Sequence, residues 1–178
     1  MLKQNSPDTP ERRSLSITRL LDAPRALVFK AWTEPRHLAH WWGPAGMELR
    51  VLRFDLRPGG IFHYSMRPEN GAVMYGRMAY REIAEPECIV WINSFADADG
   101  NVAPAPFFAP HQFPLEIYNV LTLTEQDGKT VLQLRGCPIN ASAGEVEFYQ
   151  SMFPSMEKGF SGTFDKLVEY LATSDINA

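Results

Sequence analysis

The stretch SAGEVEFYQSMFPSMEKGFSGTFDKLVEYLA, residues 142–172, decides how the chain folds. Large apolar residues recur at Phe148, Met152, Met156, Phe160 and Phe164, then at Leu167, Val168 and Leu171. Steps of four, then three and four, put side chains on one face of a helix. Ser142 followed by Glu145 reads as a capping box, in which each side chain accepts the other residue's backbone N–H. Asp165, Lys166 and Glu169 fall beside the stripe and suit a wet outer face. About thirty residues at 1.5 Å rise would run roughly 45 Å, long for a domain of this size. Pro154 lies inside the pattern. It has no N–H and clashes with the preceding turn, so it predicts a kink or a split just before that residue. The stripe predicts a core helix and equally suits the wall of a ligand cavity; the two readings are compatible.

Working outward, the whole chain has 178 residues, enough for one domain with a real core. Its 45% hydrophobic and 21% charged residues place it among ordinary globular proteins. The net charge is −4 with both signs interspersed, so the basic stripe that nucleic-acid binding needs is missing. No apolar run reaches membrane-spanning length, and no membrane partner is expected. The N-terminal MLKQNSPDTPERR is polar and unlike a secretory signal. Residues 1–13 are expected as a tail, 14–173 as one domain and 174–178 as a second short tail. Cys88 and Cys137 lie far apart in strand-like surroundings, which predicts buried free thiols and a cytoplasmic location. No Cys or His cluster has metal-site spacing, so neither metal nor cofactor is expected.

Ser14 to Leu21 reads as a first strand, with Leu15, Ile17 and Arg19 on one face. Asp22-Ala23-Pro24 opens a helix in which Asp22 is the expected cap and Pro24 fits the first turn. Thr33-Glu34-Pro35 starts a second short helix that Trp41-Trp42-Gly43-Pro44 ends. From Met47 the period becomes strand-like. Strands are predicted over Met47–Phe54, Ile61–Met66, Val73–Ile83, Cys88–Phe95, Leu115–Glu125 and Thr130–Gly136. Gly76 marks a bulge or a close approach within its strand. Asp127-Gly128 turns the last hairpin, setting Leu121 and Leu123 on the same side as Leu132 and Leu134. Short turns between successive strands imply an antiparallel meander, and strands gathered before a helix imply an α+β layer fold. Residues 96–114, ADADGNVAPAPFFAPHQFP, carry four prolines and no period. A structureless loop of that length is either a surface loop pinned by Phe107, Phe108 and Phe113 or a rim over a cavity mouth.

Several motifs then line up with a known family. They are Asp22-Ala23-Pro24, Val28-Phe29-Lys30-Ala31-Trp32-Thr33, Pro35, Leu38 and Trp41-Trp42-Gly43-Pro44, then Asp55-Leu56-Arg57-Pro58-Gly59-Gly60. Gly76, Tyr80, Glu82-Ile83 and Pro86 follow, with Thr122-Leu123-Thr124-Glu125, Gly159-Phe160, Asp165, Lys166-Leu167 and Tyr170-Leu171 completing the set. In order and spacing the chain resembles the SRPBCC (START-like) superfamily, and within it the homologues of the activator of the ninety-kilodalton heat-shock-protein ATPase. The resemblance implies a helix-grip fold: a curved antiparallel sheet of about six to seven strands wrapped around a long C-terminal helix, with two short helices after the first strand. It also implies a deep hydrophobic cavity. The superfamily includes lipid carriers, hormone receptors, polyketide cyclases and co-chaperone domains, so fold alone does not choose a function. The co-chaperone itself carries a separate N-terminal domain, for which these 178 residues leave no room.

The chemistry is sparse. His37 and His40 lie three apart on a short helix and, lacking a partner acid, read as surface residues. His63 alternates with Phe62 and Tyr64 and should face away from the concave side; His111 lies in the long loop. No nucleophile elbow or phosphate-cradling loop is present, and no catalytic residue is assigned. Asn119 should point inward with Leu115, Ile117, Leu121 and Leu123, either as a satisfied core amide or as a ligand-orienting group. The candidate ligand-contacting set is Trp42, Phe62, Tyr64, Met78, Tyr80, Trp91, Phe108, Asn119, Leu121, Met152, Met156 and Phe160. A pocket of about 300 Å³ left as a dry apolar void would cost about 7 kcal/mol, by extrapolation at about 24 cal/mol per Å³. Side chains such as Met66, Met74 and Met78, or water, or a ligand must therefore fill it. Three functions follow: binding of a small hydrophobic or aromatic molecule, a cyclase- or hydrolase-like enzyme on a hydrophobic substrate, or a chaperone-activating interaction module. An exposed sheet edge would also allow a homodimer.

Overall fold

The computed structural model describes residues 14–173; the two stretches expected as tails lie outside them. Strand β1 (Leu15–Leu21) leads into helices α1 (Arg25–Thr33) and α2 (Pro35–Trp41). Six strands follow: β2 (Met47–Phe54), β3 (Ile61–Pro68), β4 (Met74–Ala84), β5 (Cys88–Ala96), β6 (Glu116–Gln126) and β7 (Lys129–Ile139). Helices α3 (Ala143–Ser151) and α4 (Phe153–Leu171) close the chain. The seven strands form one sheet in the order β1-β7-β6-β5-β4-β3-β2, and every pair is antiparallel. This is the meander that the short turns predict, with β1 returning to pair beside β7. The β6–β7 hairpin has the expected register, Leu121 opposite Leu134 and Leu123 opposite Leu132.

The capping box forms as read. Ser142 N–H donates to Glu145 Oε2 at 2.7 Å and Glu145 N–H to Ser142 Oγ at 3.3 Å. Pro154 splits the long helix, which breaks at Met152 and restarts at Phe153. The inward face runs through Tyr149, Met156, Thr163 and Tyr170 at steps of seven, and so lies to one side of the expected stripe. Tyr149, Thr163 and Tyr170 turn inward with Phe164 and Leu167, while Val168, expected on the stripe, is 40% exposed. At α1 the cap is Pro24, and Asp22 instead approaches Lys129 Nζ at 3.5 Å. Leu115 lies just outside β6 and is exposed.

Curvature enters through register shifts between Val51 and Arg53 in β2 and between Tyr80 and Glu82 in β4. One extra residue on one strand bends it and strengthens its twist. The bulge of β4 therefore lies beyond Gly76. At Gly76 the requirement is space, since a Cβ there would sit 2.5 Å from the Tyr64 ring. Helix α4 packs against β1, α1 and α2 across the concave face. Arg19 on β1 ion-pairs Asp165 on α4, and Thr163 Oγ1 donates to Gly43 O at 3.1 Å. The main core gathers Val28, Trp32, Leu38, Trp41, Phe164 and Leu167 against the inner faces of β3, β4, β5 and β6. Cys88 and Cys137 are unpaired and half-buried, less enclosed than their strand surroundings predict, because both lie outside the concave core.

Candidate functional site

A cavity of about 320 Å³ lies between the sheet and the C-terminal helices. Its floor is built by alternation along the strands: Tyr64 and Met66 on β3, Trp91, Asn93 and Phe95 on β5, Ile117 and Asn119 on β6, Leu134 and Gly136 on β7. Residues two apart on a strand face the same way, so each strand contributes a column to the floor. Tyr149, Met152, Met156, Phe160 and Thr163 form the helical wall. The Trp42-Gly43-Pro44 turn and three loop rings, Phe107, Phe108 and Phe113, complete it.

Of the sequence-derived candidates, Trp42, Tyr64, Trp91, Phe108, Asn119, Met152, Met156 and Phe160 come together on this wall. Phe62, Met78, Tyr80 and Leu121 do not. Their side chains do face inward, but they lie in the half of the concave face that α1, α2 and the lower part of α4 fill. Phe54 also packs over Phe62 and Tyr80, with ring centroids at 5.4 and 6.4 Å. Of the methionines considered as fillers, Met66 reaches the cavity, Met78 is core, and Met74 is half-buried away from the wall. Asn93 and Tyr149 also lie on the wall, outside the sequence-derived candidates. Asn93 was signalled by its two-residue offset from Trp91, and Tyr149 by its offsets of three and seven from Met152 and Met156.

The long loop is anchored at both ends. On the convex face His63 Nε2 lies 3.1 Å from Asp97 O, and Arg77 donates to Gly100 O at 2.8 Å. Asp97 accepts the N–H groups of Asp99 and Asn101 and the Asn101 side-chain amide, which holds its carboxyl below the usual range. At the cavity Phe108 packs on Phe113 and on Phe148 of α3, at 5.4 and 5.2 Å. The loop is thus pinned by its aromatics and forms part of the cavity wall with the same rings.

His37 is buried, not a surface residue, because Tyr170 of α4 covers it, with the hydroxyl 2.6 Å from Nδ1. Burial holds its pKa below 6.5 against the opposing pull of Glu34. His40 remains exposed and stacks on Tyr170 at 4.9 Å. On the cavity wall, burial pushes the Tyr64 phenol up to about 12, opposed by a hydrogen bond from Trp42. Burial also pushes the Tyr149 phenol up. None of the lining residues carries a charge at neutral pH. Among the described residues no group of three or more His, Cys, Asp or Glu could hold a metal ion, and no helix is long and apolar enough to cross a membrane.

The curved sheet, the helices that it grips and the apolar cavity between them define a helix-grip protein of the SRPBCC (START-like) superfamily. The family described as Activator of Hsp90 ATPase homolog 1-like protein matches residues 22–172, and the chain belongs to it. The chain is similar to the crystal structure of protein Ms6760 from Mycobacterium smegmatis, with 28% identity and a TM-score of 0.73 over 93% of this chain and 94% of that one. A solution structure from Arthrobacter aurescens shares the fold at 22% identity, TM-score 0.76, covering 95% of this chain and 92% of that one. The AHSA1 protein from Silicibacter pomeroyi shares it at 18% identity, TM-score 0.66, covering 89% and 97%. No curated protein matches the chain.

Proposed function

We propose that this protein binds a small hydrophobic or aromatic molecule, in the cytoplasm, within the cavity between its sheet and C-terminal helices. The observation that carries this reading is the cavity itself, about 320 Å³ with an uncharged, largely aromatic and methionine wall. That volume is at the small end of the range for ligand sites, about 300–1,000 Å³. An apolar space of this size is costly to leave unfilled, since its lining loses van der Waals partners. Methionines at 66, 152 and 156 let the wall adapt to an occupant. Among the described residues the cavity wall holds no carboxylate, imidazole or amine, the usual proton-transfer groups, which favours binding over acid–base chemistry. The unpaired Cys88 and Cys137 agree with a reducing compartment.

Native mass spectrometry of the purified protein tests this. A discrete extra mass that disappears on denaturation is expected. Met156→Trp, which places an indole in the cavity, should abolish it; persistence in that variant would move the site elsewhere. A bare mass together with a stable complex in a chaperone pull-down would replace this reading with an interaction module.

A further inference from the structure

Five polar side chains on the cavity wall already have partners inside the protein. Trp42 hydrogen-bonds the Tyr64 hydroxyl. Asn119 Nδ2 donates to Ile117 O at 2.9 Å, and Tyr149 donates to Gly136 O at 3.2 Å. Thr163 Oγ1 donates to Gly43 O. Two wall groups remain: Trp91 Nε1 and Asn93 Oδ1 are buried and have no hydrogen-bond partner among the described residues. Trp91 is 1% exposed, so its N–H is not left to bulk water. Both belong to β5, two residues apart on one face, roughly 7 Å along the strand.

Resting on the ligand-binding reading above, we propose that Trp91 Nε1 and Asn93 Oδ1 form a polar subsite for a neutral hydroxyl on an otherwise apolar, aromatic ligand. The indole N–H is a donor only, and the amide oxygen is an acceptor only. The pair therefore requires a ligand edge that both accepts and donates, and a hydroxyl is the smallest group that does. A carboxylate or phosphate fails, because no cation lines the cavity and a buried charge without a partner is strongly penalised. Phe95, Phe113 and Phe160 line the same cavity and favour a flat aromatic body.

The test is calorimetric titration with 2-naphthol, 2-methoxynaphthalene, naphthalene and 2-naphthoate. On the wild-type protein 2-naphthol should bind tightest, about five- to tenfold tighter per added hydrogen bond than naphthalene. The methoxy compound, which can only accept, should fall between them, and 2-naphthoate should bind most weakly. Asn93→Leu should bring 2-naphthol down to 2-methoxynaphthalene. Trp91→Phe should weaken both oxygenated probes and spare naphthalene. Equal binding of naphthalene and 2-naphthol by the wild type, which requires no variant to fold, overturns the subsite while leaving an apolar cavity site intact. Preference for 2-naphthoate overturns the neutral-ligand requirement. Binding of none of the four overturns both the subsite and the reading on which it rests.

Discussion

Tyr64 needs the hydrogen atom of Gly76. A Cβ at that position would meet the phenol at 2.5 Å, so the ring lies flat across β4 and its hydroxyl reaches Trp42. Gly136 does the same at the other side of the floor, where a Cβ would approach Asn119 Oδ1 at 2.9 Å and the Tyr149 hydroxyl at 3.0 Å. His37 is the residue with a pH signature. Its pKa is lowered in the fold by burial, with Arg36, Lys30 and His40 adding to the effect and Glu34 opposing it. In the unfolded chain it protonates near the ordinary 6.5. Between the folded value and 6.5 the unfolded state binds more protons, so stability falls as pH falls through that window and is full above it. Thermal melts from pH 7 down to pH 5 should therefore show a steeper loss of Tm for the wild type than for His37→Gln. Parallel slopes would assign the titration to another group. The position of His37 beside Tyr170 was not legible in the sequence, because the two residues are 133 apart and meet only when α4 crosses α2.

Local chemistry dominates at the scale of elements. Ser142 and Glu145 mark the start of α3 through contacts within four residues, and Pro154 marks the start of α4 through its own ring. Ser142→Ala should cost about 1 kcal/mol, read by urea denaturation. A loss within a few tenths of zero would mean that tertiary packing holds α3 without its cap. Such signals survive translation from sequence to structure because they need no distant partner. The strand periods survive for a related reason: alternation is a backbone property, and hydrogen-bonded register then follows from short turns such as Asp127-Gly128. The inward stripe of the C-terminal helices was less legible. Its centre runs through Tyr149, Met156, Thr163 and Tyr170, and three of these carry hydroxyls, so a stripe drawn through the large apolar side chains passes beside them.

For the molecule as a whole, the division of the concave face into packed core and cavity is the main result. One half is closed by α1, α2 and Phe54; the other is left between the sheet, α3, α4 and the loop. The loop holds its place through polar contacts on the convex side and rings on the cavity side. Phe108→Ala removes the ring that joins Phe113 to Phe148. Hydrogen exchange should then accelerate over residues 103–113 while the amides of β5, β6 and β7 keep their protection. Acceleration across the sheet would show that the loop is part of the folding core and not a separately released wall.

The amino-acid sequence by itself determined the element order, the antiparallel meander, the capped and split C-terminal helix and the inward faces of the strands. These rest on period, turn chemistry and capping, which act between near neighbours. The tertiary structure alone decided which inward residues meet the cavity. Phe62, Met78, Tyr80 and Leu121 obey the same alternation as Tyr64, Trp91 and Asn119, yet they are buried under helices that arrive from elsewhere in the chain. It also decided which polar groups are already paired: Asn119 finds a backbone carbonyl, whereas Trp91 and Asn93 find no partner within the described protein. The physical reason is that alternation assigns a face, while burial and hydrogen-bond satisfaction depend on what packs against that face.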